Sequence, residues 1–134
     1  MSQRFAMEKE RFEYLANQVF KAALEVHKTL GPGLLESVYE FSMIKELQMR
    51  KIGFQSQTKA PLFYKGHDTS KEFFIDILIK DEIILELKAA ENFAPVHQAQ
   101  LLSYLKLANK KMGFLINFNV PLLKDGFKRM VNNY

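Results

Sequence analysis

The 134-residue chain contains no cysteine, which excludes disulfide bonds and thiolate metal sites. Glycine and proline are scarce, with six and four residues, whereas twelve residues are phenylalanine and 48% of the chain is apolar. This composition is typical of a compact globular protein and not of a disordered or fibrous one. We therefore expect a single domain spanning residues 1–134, because a chain of this length supplies one hydrophobic core.

Long hydrophobic runs are also absent. No stretch approaches the ~20 apolar residues that a membrane-spanning helix needs, and residues 1–11 are charged, without the apolar centre of a signal peptide. These absences predict a cytoplasmic protein with no membrane partner. The net charge of +4 is spread along the chain, so it is compatible with a polyanionic partner such as nucleic acid but does not require one.

Two helices are predicted in the first part of the chain. Apolar residues recur at helical spacing from residue 12 to residue 30, and this pattern stops at the glycine-proline-glycine turn 31–33. A second helical pattern begins at Leu34 and ends before Gly53, a residue suited to a helix C-terminus. The glycine-proline turn is expected to join the two helices.

Strand patterns follow. Residues 54–64 are predicted to form a strand, which Pro61 restricts to a sheet edge or a bulge. Two adjoining apolar runs, 73–79 and 83–88, are typical of buried strands, and residues 113–118 predict a short fourth one.

The rest of the chain predicts further helices. A loop is expected at 90–94, and Pro95 suits the first turn of a helix that runs to about Asn109. A weak amphipathic helix is predicted over 127–131. The order of helix, helix, three strands, helix, strand and helix predicts an α/β fold with a mixed sheet flanked by helices.

Three charged residues, Asp76, Glu86 and Lys88, lie inside the two adjoining apolar runs. An unpaired charge in a low-dielectric interior costs several kcal/mol, so these residues need compensating partners. One explanation is an internal salt bridge between Lys88 and a carboxylate. The other is a hard divalent cation, and oxygen ligands with no cysteine or histidine at ligand spacing favour Mg²⁺ or Mn²⁺.

The register of the hairpin decides whether the two carboxylates meet. A two-residue turn would place Asp76 and Glu86 on opposite faces, whereas a three-residue connection pairs them, with Phe74 and Lys88 on the same face. The second register also gives one wholly aliphatic face, made of Ile75, Ile77, Ile79, Ile83, Leu85 and Leu87. Burial of that face, at ~25 cal/mol per Å², outweighs a preference for one turn type, so we predict the three-residue connection.

Asp76 followed by Glu86-Leu87-Lys88 on the next strand resembles the D…(D/E)XK signature of the PD-(D/E)XK nuclease superfamily, although Ile75 stands where the superfamily's name has proline. Residues 33–39, Gly-Leu-Leu-Glu-Ser-Val-Tyr, match the GxxExxY motif that names one family within it. Residues 100–104, Gln-Leu-Leu-Ser-Tyr, resemble the QxxxY motif of bacterial recombination exonucleases. The resemblance implies a PD-(D/E)XK nuclease-like core of helix, three-stranded meander, helix and strand.

The resemblance also implies a metal site. Asp76, Glu86 and the backbone carbonyl of Leu87 would bind Mg²⁺ or Mn²⁺, and Glu36 would complete the acidic site, in one version through a metal-bound water. From the residues alone, Glu36 is equally an acidic side chain that favours a helix N-terminus.

The resemblance implies that Lys88 would position the attacking water. It also implies a role in the site for Gln100 and Tyr104. The last two lie one helical turn apart, so they share a face that would contact substrate or support Lys88. A hydrogen-bonded structural pair is the alternative for them. His97 is predicted to be a helix-surface residue and Tyr39 a core residue, while Asn117 has no assigned role.

The implied function is metal-dependent hydrolysis of phosphodiester bonds in DNA. The alternative is a non-catalytic nucleic-acid-binding or regulatory module with the same fold, and the site chemistry does not separate DNA from RNA. A homodimer would enlarge the small contact area that one such domain offers to duplex DNA.

Overall fold

A computed structural model describes residues 2–92 and 94–134 of the chain. These residues form three α-helices and a five-stranded mixed sheet. The elements are α1 (Gln3–Leu30), α2 (Glu36–Met49), β1 (Phe54–Tyr64), β2 (His67–Ile79), β3 (Ile83–Lys88), α3 (Pro95–Leu107), β4 (Met112–Asn117) and β5 (Phe127–Val131). Within the described ranges, no helix is both long enough and apolar enough to cross a membrane.

The helices begin and end near their predicted positions. Helix α1 starts earlier than its apolar pattern, because the Ser2 side chain caps it by accepting a hydrogen bond from the Phe5 N–H at 3.2 Å. Its end is confirmed at Leu30, where Gly31 takes φ 71° and donates its N–H to the His27 carbonyl at 2.8 Å. The described residues of the predicted 90–94 loop lie outside helices and strands, and residue 93 is not among the described ones.

The sheet has the order β1-β2-β3-β4-β5, in which only β3 and β4 are parallel. Helix α3 forms the crossover between those two strands, as a parallel connection requires. Strand β1 lies at the sheet edge, and its pairing with β2 is irregular between Leu62 and Phe63, which agrees with the prediction from Pro61.

Two apolar clusters cover the two faces of the sheet. Successive residues of β3 belong to different clusters, since their side chains point to opposite faces of the sheet. Ile83 and Leu85 pack with α1 and α2, whereas Ile84 packs with Leu101 and Leu105 of α3. The sheet is therefore buried between α1 and α2 on one side and α3 on the other.

The predicted register of the β2–β3 hairpin is confirmed next to the turn, whereas the predicted pairing of Asp76 with Glu86 is not among the ladder pairs. Ile79 pairs with Ile83 and Ile77 with Leu85, so three residues, Lys80–Glu82, connect the strands. Lys80 and Asp81 both have positive φ, at 48° and 58°. The strained turn is tolerated because the register buries the aliphatic residues on both strands.

The predicted composition of the two hairpin faces was partly wrong. Ile75 packs in the cluster below α3 instead of on the aliphatic face, and Phe74 is 51% exposed instead of lying beside the carboxylates. The alternation of side chains is thus interrupted next to Asp76. Directly across from Asp76, the β1 residue Gln57 has φ 50°, and these two residues do not form a ladder pair. This local distortion of the β1–β2 ladder explains the reversal of faces.

The prediction of a helix over residues 127–131 was also wrong. These residues form β5, which pairs antiparallel with β4 and follows a short 3₁₀ turn at Leu123–Gly126. Without β5, the outer edge of the buried strand β4 would expose unpaired backbone groups. Arg129 adds two hydrogen bonds, at 2.8 and 2.9 Å, to the Glu13 carboxylate of α1.

Candidate active site

Asp76 and Glu86 meet just beyond the last ladder pair of the β2–β3 hairpin. Asp76 Oδ2 accepts a hydrogen bond from the backbone N–H of Leu87 at 2.8 Å, which fixes this carboxylate against β3. The Asp76 carboxylate is close enough to Glu86 for its negative charge to raise the pKa of the Glu86 carboxyl group. The structure therefore brings together the two acidic residues that the register predicted as neighbours.

Glu86 is a buried carboxyl group, with 7% of its surface exposed. Burial, reinforced by the negative charge of Asp76, raises the pKa of Glu86 to about 9, against the opposing effects of Lys88 and of a backbone hydrogen bond at Asp76. Among the described residues, Glu86 Oε1 has no hydrogen-bond partner. The pair therefore retains a proton at neutral pH and has one buried oxygen available to a ligand.

This donor set fits a hard divalent cation. A buried, unpaired carboxylate oxygen next to a second carboxylate matches the oxygen ligands that Mg²⁺ and Mn²⁺ prefer. In the part of the chain that the structure describes, no group of three or more histidine or acidic side chains is placed to hold a metal. Such an ion would thus depend on water and substrate oxygens for the rest of its shell, as Mg²⁺ commonly does.

Lys88 ends strand β3 and is half-buried. Its ammonium group acts electrostatically on both Glu86 and Glu36. Its carbonyl accepts a hydrogen bond from the Phe118 N–H at 3.0 Å, which secures the strand end from which the side chain extends.

Asn117, left unassigned from the sequence, holds the chain that follows Lys88. It lies beside Lys88 in the parallel β3–β4 pair and is 1% exposed. Its side-chain oxygen accepts from the Ala90 N–H at 3.1 Å, and its amide donates to the Ala90 carbonyl at 2.8 Å. The sequence indicated this role only by placing a single amide side chain in an apolar strand, because a buried amide needs hydrogen-bond partners.

Glu36 is the first residue of α2 and is exposed. Partial burial, with Asp76 and Glu40, raises the pKa of its carboxyl group, whereas the Lys88 charge opposes that rise. Solvent screens these interactions because the side chain is exposed. The structure thus brings Glu36 into the electrostatic neighbourhood of the carboxylate pair, but not into a three-carboxylate cluster.

The turn before α2 is held by Tyr39, which is fully buried, as predicted. Its hydroxyl donates to the Gly31 carbonyl at 2.6 Å and accepts from the Leu34 N–H at 3.1 Å. Its ring stacks on Phe118 with centroids 4.6 Å apart. Tyr39 therefore fixes the start of α2 and, with it, the position of Glu36.

Tyr39→Phe is expected to destabilise the protein by about 1–3 kcal/mol, because two part-buried hydrogen bonds, to the Gly31 carbonyl and from the Leu34 N–H, are lost while the ring packing is retained. Chemical denaturation measures the loss. Tyr14→Phe is the matched control, since Tyr14 is 64% exposed. Equal stability of the two variants would show that the hydroxyl does not hold the turn.

Tyr104 and Gln100 extend from one side of α3, and Tyr104 lies near the carboxylates. The Tyr104 ring stacks on Phe73 of β2 with centroids 4.5 Å apart. Burial, with the charges of Glu86 and Asp76, raises the pKa of Tyr104, while a hydrogen bond to the Gln100 side chain opposes the rise. The predicted shared face is confirmed, and it lies next to the acidic pair.

The sequence predicted His97 only as a helix-surface residue, and the structure places it near this site. It is half-buried in the first turn of α3, and its charge acts on Glu36. Among the described residues, its buried Nδ1 has no hydrogen-bond partner. Its position three residues before Gln100 and seven before Tyr104 puts all three on one helix face, which was the available signal.

These features define an α/β protein with a pair of carboxylates on adjacent strands and a lysine at the end of its central strand. A family model described as the PD-(D/E)XK nuclease superfamily matches residues 13–130, and the chain belongs to that superfamily. No curated protein and no solved structure gives a significant match.

Proposed function

We propose that this protein is a metal-dependent nuclease that hydrolyses phosphodiester bonds of DNA, as a member of the GxxExxY family. Its superfamily supports nuclease activity and the general use of divalent metals. The observation that most supports a metal site is Glu86 Oε1, a buried oxygen without a partner among the described residues, beside the Asp76 carboxylate.

In this proposal Asp76, Glu86 and the Leu87 carbonyl bind Mg²⁺ or Mn²⁺, with Glu36 at the edge of the site. The chemistry that such a cation supplies is polarisation of a phosphoryl oxygen and a lowered pKa of bound water. Lys88 orients the attacking water and neutralises charge that develops on the phosphate.

The α3 face of the site is assigned to the substrate. Gln100 is exposed and hydrogen-bonds Tyr104, whose ring is anchored by Phe73. One bond to Tyr104 leaves the Gln100 amide with further donor and acceptor capacity for a phosphate or a base, and the Phe73 stack holds Tyr104 near the carboxylates.

A direct test incubates the protein with single-stranded, duplex and branched DNA, and with RNA, in Mg²⁺, Mn²⁺ or EDTA. Cleavage of DNA that requires a divalent ion is expected. Binding of metal and DNA without cleavage would overturn the proposal in favour of a non-catalytic module. Preferential cleavage of RNA would overturn the assignment of DNA.

Titration of the protein with Mn²⁺ by calorimetry tests the metal site. Binding is expected to release a proton at pH 7, because the metal displaces the proton that Glu86 holds. Lower pH favours that proton, so affinity should rise with pH, by up to about tenfold per unit below the raised pKa. Asp76→Ala should abolish binding, whereas Asp81→Ala, at an exposed hairpin residue, should not. Absence of binding to the wild type would identify the charges as a structural network.

A further inference from the structure

The β1–β2 hairpin extends beyond the two apolar clusters. From Pro61 to Glu72, every residue except Leu62 is exposed. The hairpin closes with Tyr64 paired to His67, so the turn is the two-residue segment Lys65–Gly66. Both turn residues have positive φ, 48° and 82°, which suits the right-handed twist of the strands. We call residues 59–74 the hairpin arm.

One face of the hairpin arm is covered and the other is not. Ala60, Leu62 and Phe73 pack in the cluster below α3. Successive strand residues point to opposite faces, so the neighbouring pair Lys59 and Phe74 lies on the other side. There Phe74 is 51% exposed, with Lys59 Nζ 5.7 Å from its ring centroid.

Exposed aromatic rings and lysines are interspersed along this arm. Besides Phe74, the rings of Phe63 and Tyr64 are 49% and 64% exposed, and Lys65 Nζ lies 5.5 Å from the Tyr64 centroid. In the described part of the chain, Lys59, Lys65 and Lys71 form no ion pair. Two acidic residues interrupt the arm, Asp68 and Glu72, and the Asp68 carboxylate accepts a hydrogen bond from the Ser70 N–H at 2.9 Å.

The arm begins at the candidate active site. Phe74 precedes Asp76 by two residues on β2, and the Phe73 ring stacks on Tyr104 at the opposite side of the strand. The base of the arm is therefore within three residues of Asp76 along β2, although Phe74 points away from Tyr104 and the carboxylates.

We propose that the hairpin arm binds a single-stranded segment of the DNA substrate, with bases stacked on Phe63 and Phe74 along the uncovered face and on Tyr64 at the tip, and with phosphates facing the lysines. Exposed aromatic rings with interspersed cations are the features by which proteins hold unpaired strands. Bases within a duplex already stack on each other, so their faces are not available to these rings. This inference rests on the proposed nuclease function and narrows its substrate to DNA with an unpaired region.

Fluorescence anisotropy in EDTA, with no cleavage during the measurement, tests the arm. Labelled single-stranded DNA, its duplex and RNA of the same sequence are compared. Single-stranded DNA is expected to bind most tightly, and Tyr64→Ala and Phe74→Ala should each weaken it about tenfold. Lys65→Ala should reduce the slope of log affinity against log salt by about 0.7.

Phe41→Ala is the matched control, because the Phe41 ring on α2 is 62% exposed and has Lys45 Nζ 5.3 Å from its centroid. It should bind as the wild type does. Thermal melts establish that each variant is folded, and the Lys65 variant removes only an exposed tip side chain.

Tighter binding of duplex or RNA, or unchanged binding by the arm variants, would overturn the inference. A wild-type dimer in sedimentation experiments that Tyr64→Ala converts to monomer would also overturn it, by assigning the arm to a second copy of the chain. If the wild type cleaves DNA but the arm variants bind it normally, the inference about the arm is refuted and the nuclease proposal is not. Arm-dependent binding without any cleavage by the wild type would refute the nuclease proposal alone.

Discussion

Glu86→Gln is expected to abolish metal-dependent DNA cleavage, with a loss of at least about a thousandfold. The substitution keeps the size of the side chain but removes one of the two adjacent carboxylates, so the site no longer supplies two anionic ligands. Cleavage is measured with a labelled oligonucleotide in Mn²⁺. Glu10→Gln, at an exposed residue of α1, is the control. Activity that survives in the Glu86 variant would come from a contaminant.

The same substitution is expected to stabilise the metal-free protein above neutral pH. The unfolded chain releases the Glu86 proton near the ordinary pKa of 4.5, whereas the folded protein keeps it up to about 9. The stability linked to this proton is therefore complete below pH 4.5 and is lost as the pH rises to about 9. At pH 7 the loss is roughly 3 kcal/mol, because each pKa unit corresponds to about 1.4 kcal/mol.

Glutamine does not titrate, so the melting temperature of this variant should exceed that of the wild type by a margin that grows between pH 5 and pH 9. Calorimetric melts in EDTA measure this margin, and Glu10→Gln, at an exposed residue of α1, is the control. A difference in melting temperature between wild type and Glu86→Gln that stays constant from pH 5 to pH 9 would show that Glu86 is ionised in the folded protein.

Lys88→Met is expected to reduce cleavage by about 10²–10⁴ while leaving Mn²⁺ binding intact. The reason is that the ammonium group faces the carboxylates and is assigned to the water and the phosphate, not to the metal. Methionine retains most of the apolar stem, so the strand end should stay packed. Arginine should not restore activity, because its planar group differs in shape and hydration from an ammonium.

Lys106→Met, at an exposed residue in the last turn of α3, is the control for loss of one positive charge. Cleavage and calorimetric Mn²⁺ titration are measured on both variants. Loss of metal binding in the Lys88 variant would assign this residue to the architecture of the carboxylate pair. Normal cleavage would remove it from the mechanism.

The sequence was sufficient to predict the meeting of Asp76 and Glu86. The prediction followed from local constraints, since the three-residue connection of the hairpin brings the two carboxylates together just beyond its ladder pairs. It also predicted the helix ends at the glycine-proline turn and the shared face of Gln100 and Tyr104, which depend on spacing within one element.

Features that depend on distant residues were not predicted. Residues 127–131 place Phe127, Met130 and Val131 at a spacing that favours a helix, and pairing with β4 overrides that preference. The reversal of faces beside Asp76 coincides with the positive φ of Gln57, whose side chain donates to Glu40 of α2 at 2.7 Å. Contacts such as these join separate elements, so they produce no periodic pattern in the sequence from which they could be predicted.

The proximity of Glu36 to the carboxylate pair was predicted from the family resemblance but not from local spacing. Its motif suggested the approach only through the family resemblance, because no rule of spacing relates the start of α2 to the end of β3. In the structure, the link is physical and runs through Tyr39, which stacks on the residue that follows β4 and holds the turn before Glu36.

The topology around the carboxylate pair has a consequence for the order of folding. Asp76 and Glu86 are brought together by a hairpin with a three-residue connection, and hairpins close in about 1–10 μs. Burial of Glu86 also requires the parallel pairing of β3 with β4 across helix α3, a non-local step that is slower. We therefore expect the two carboxylates to meet while still hydrated, and the proton of Glu86 to be taken up only in the last folding phase. A pH-indicator dye in stopped-flow refolding would detect this late uptake, and uptake in the earliest phase would contradict the order.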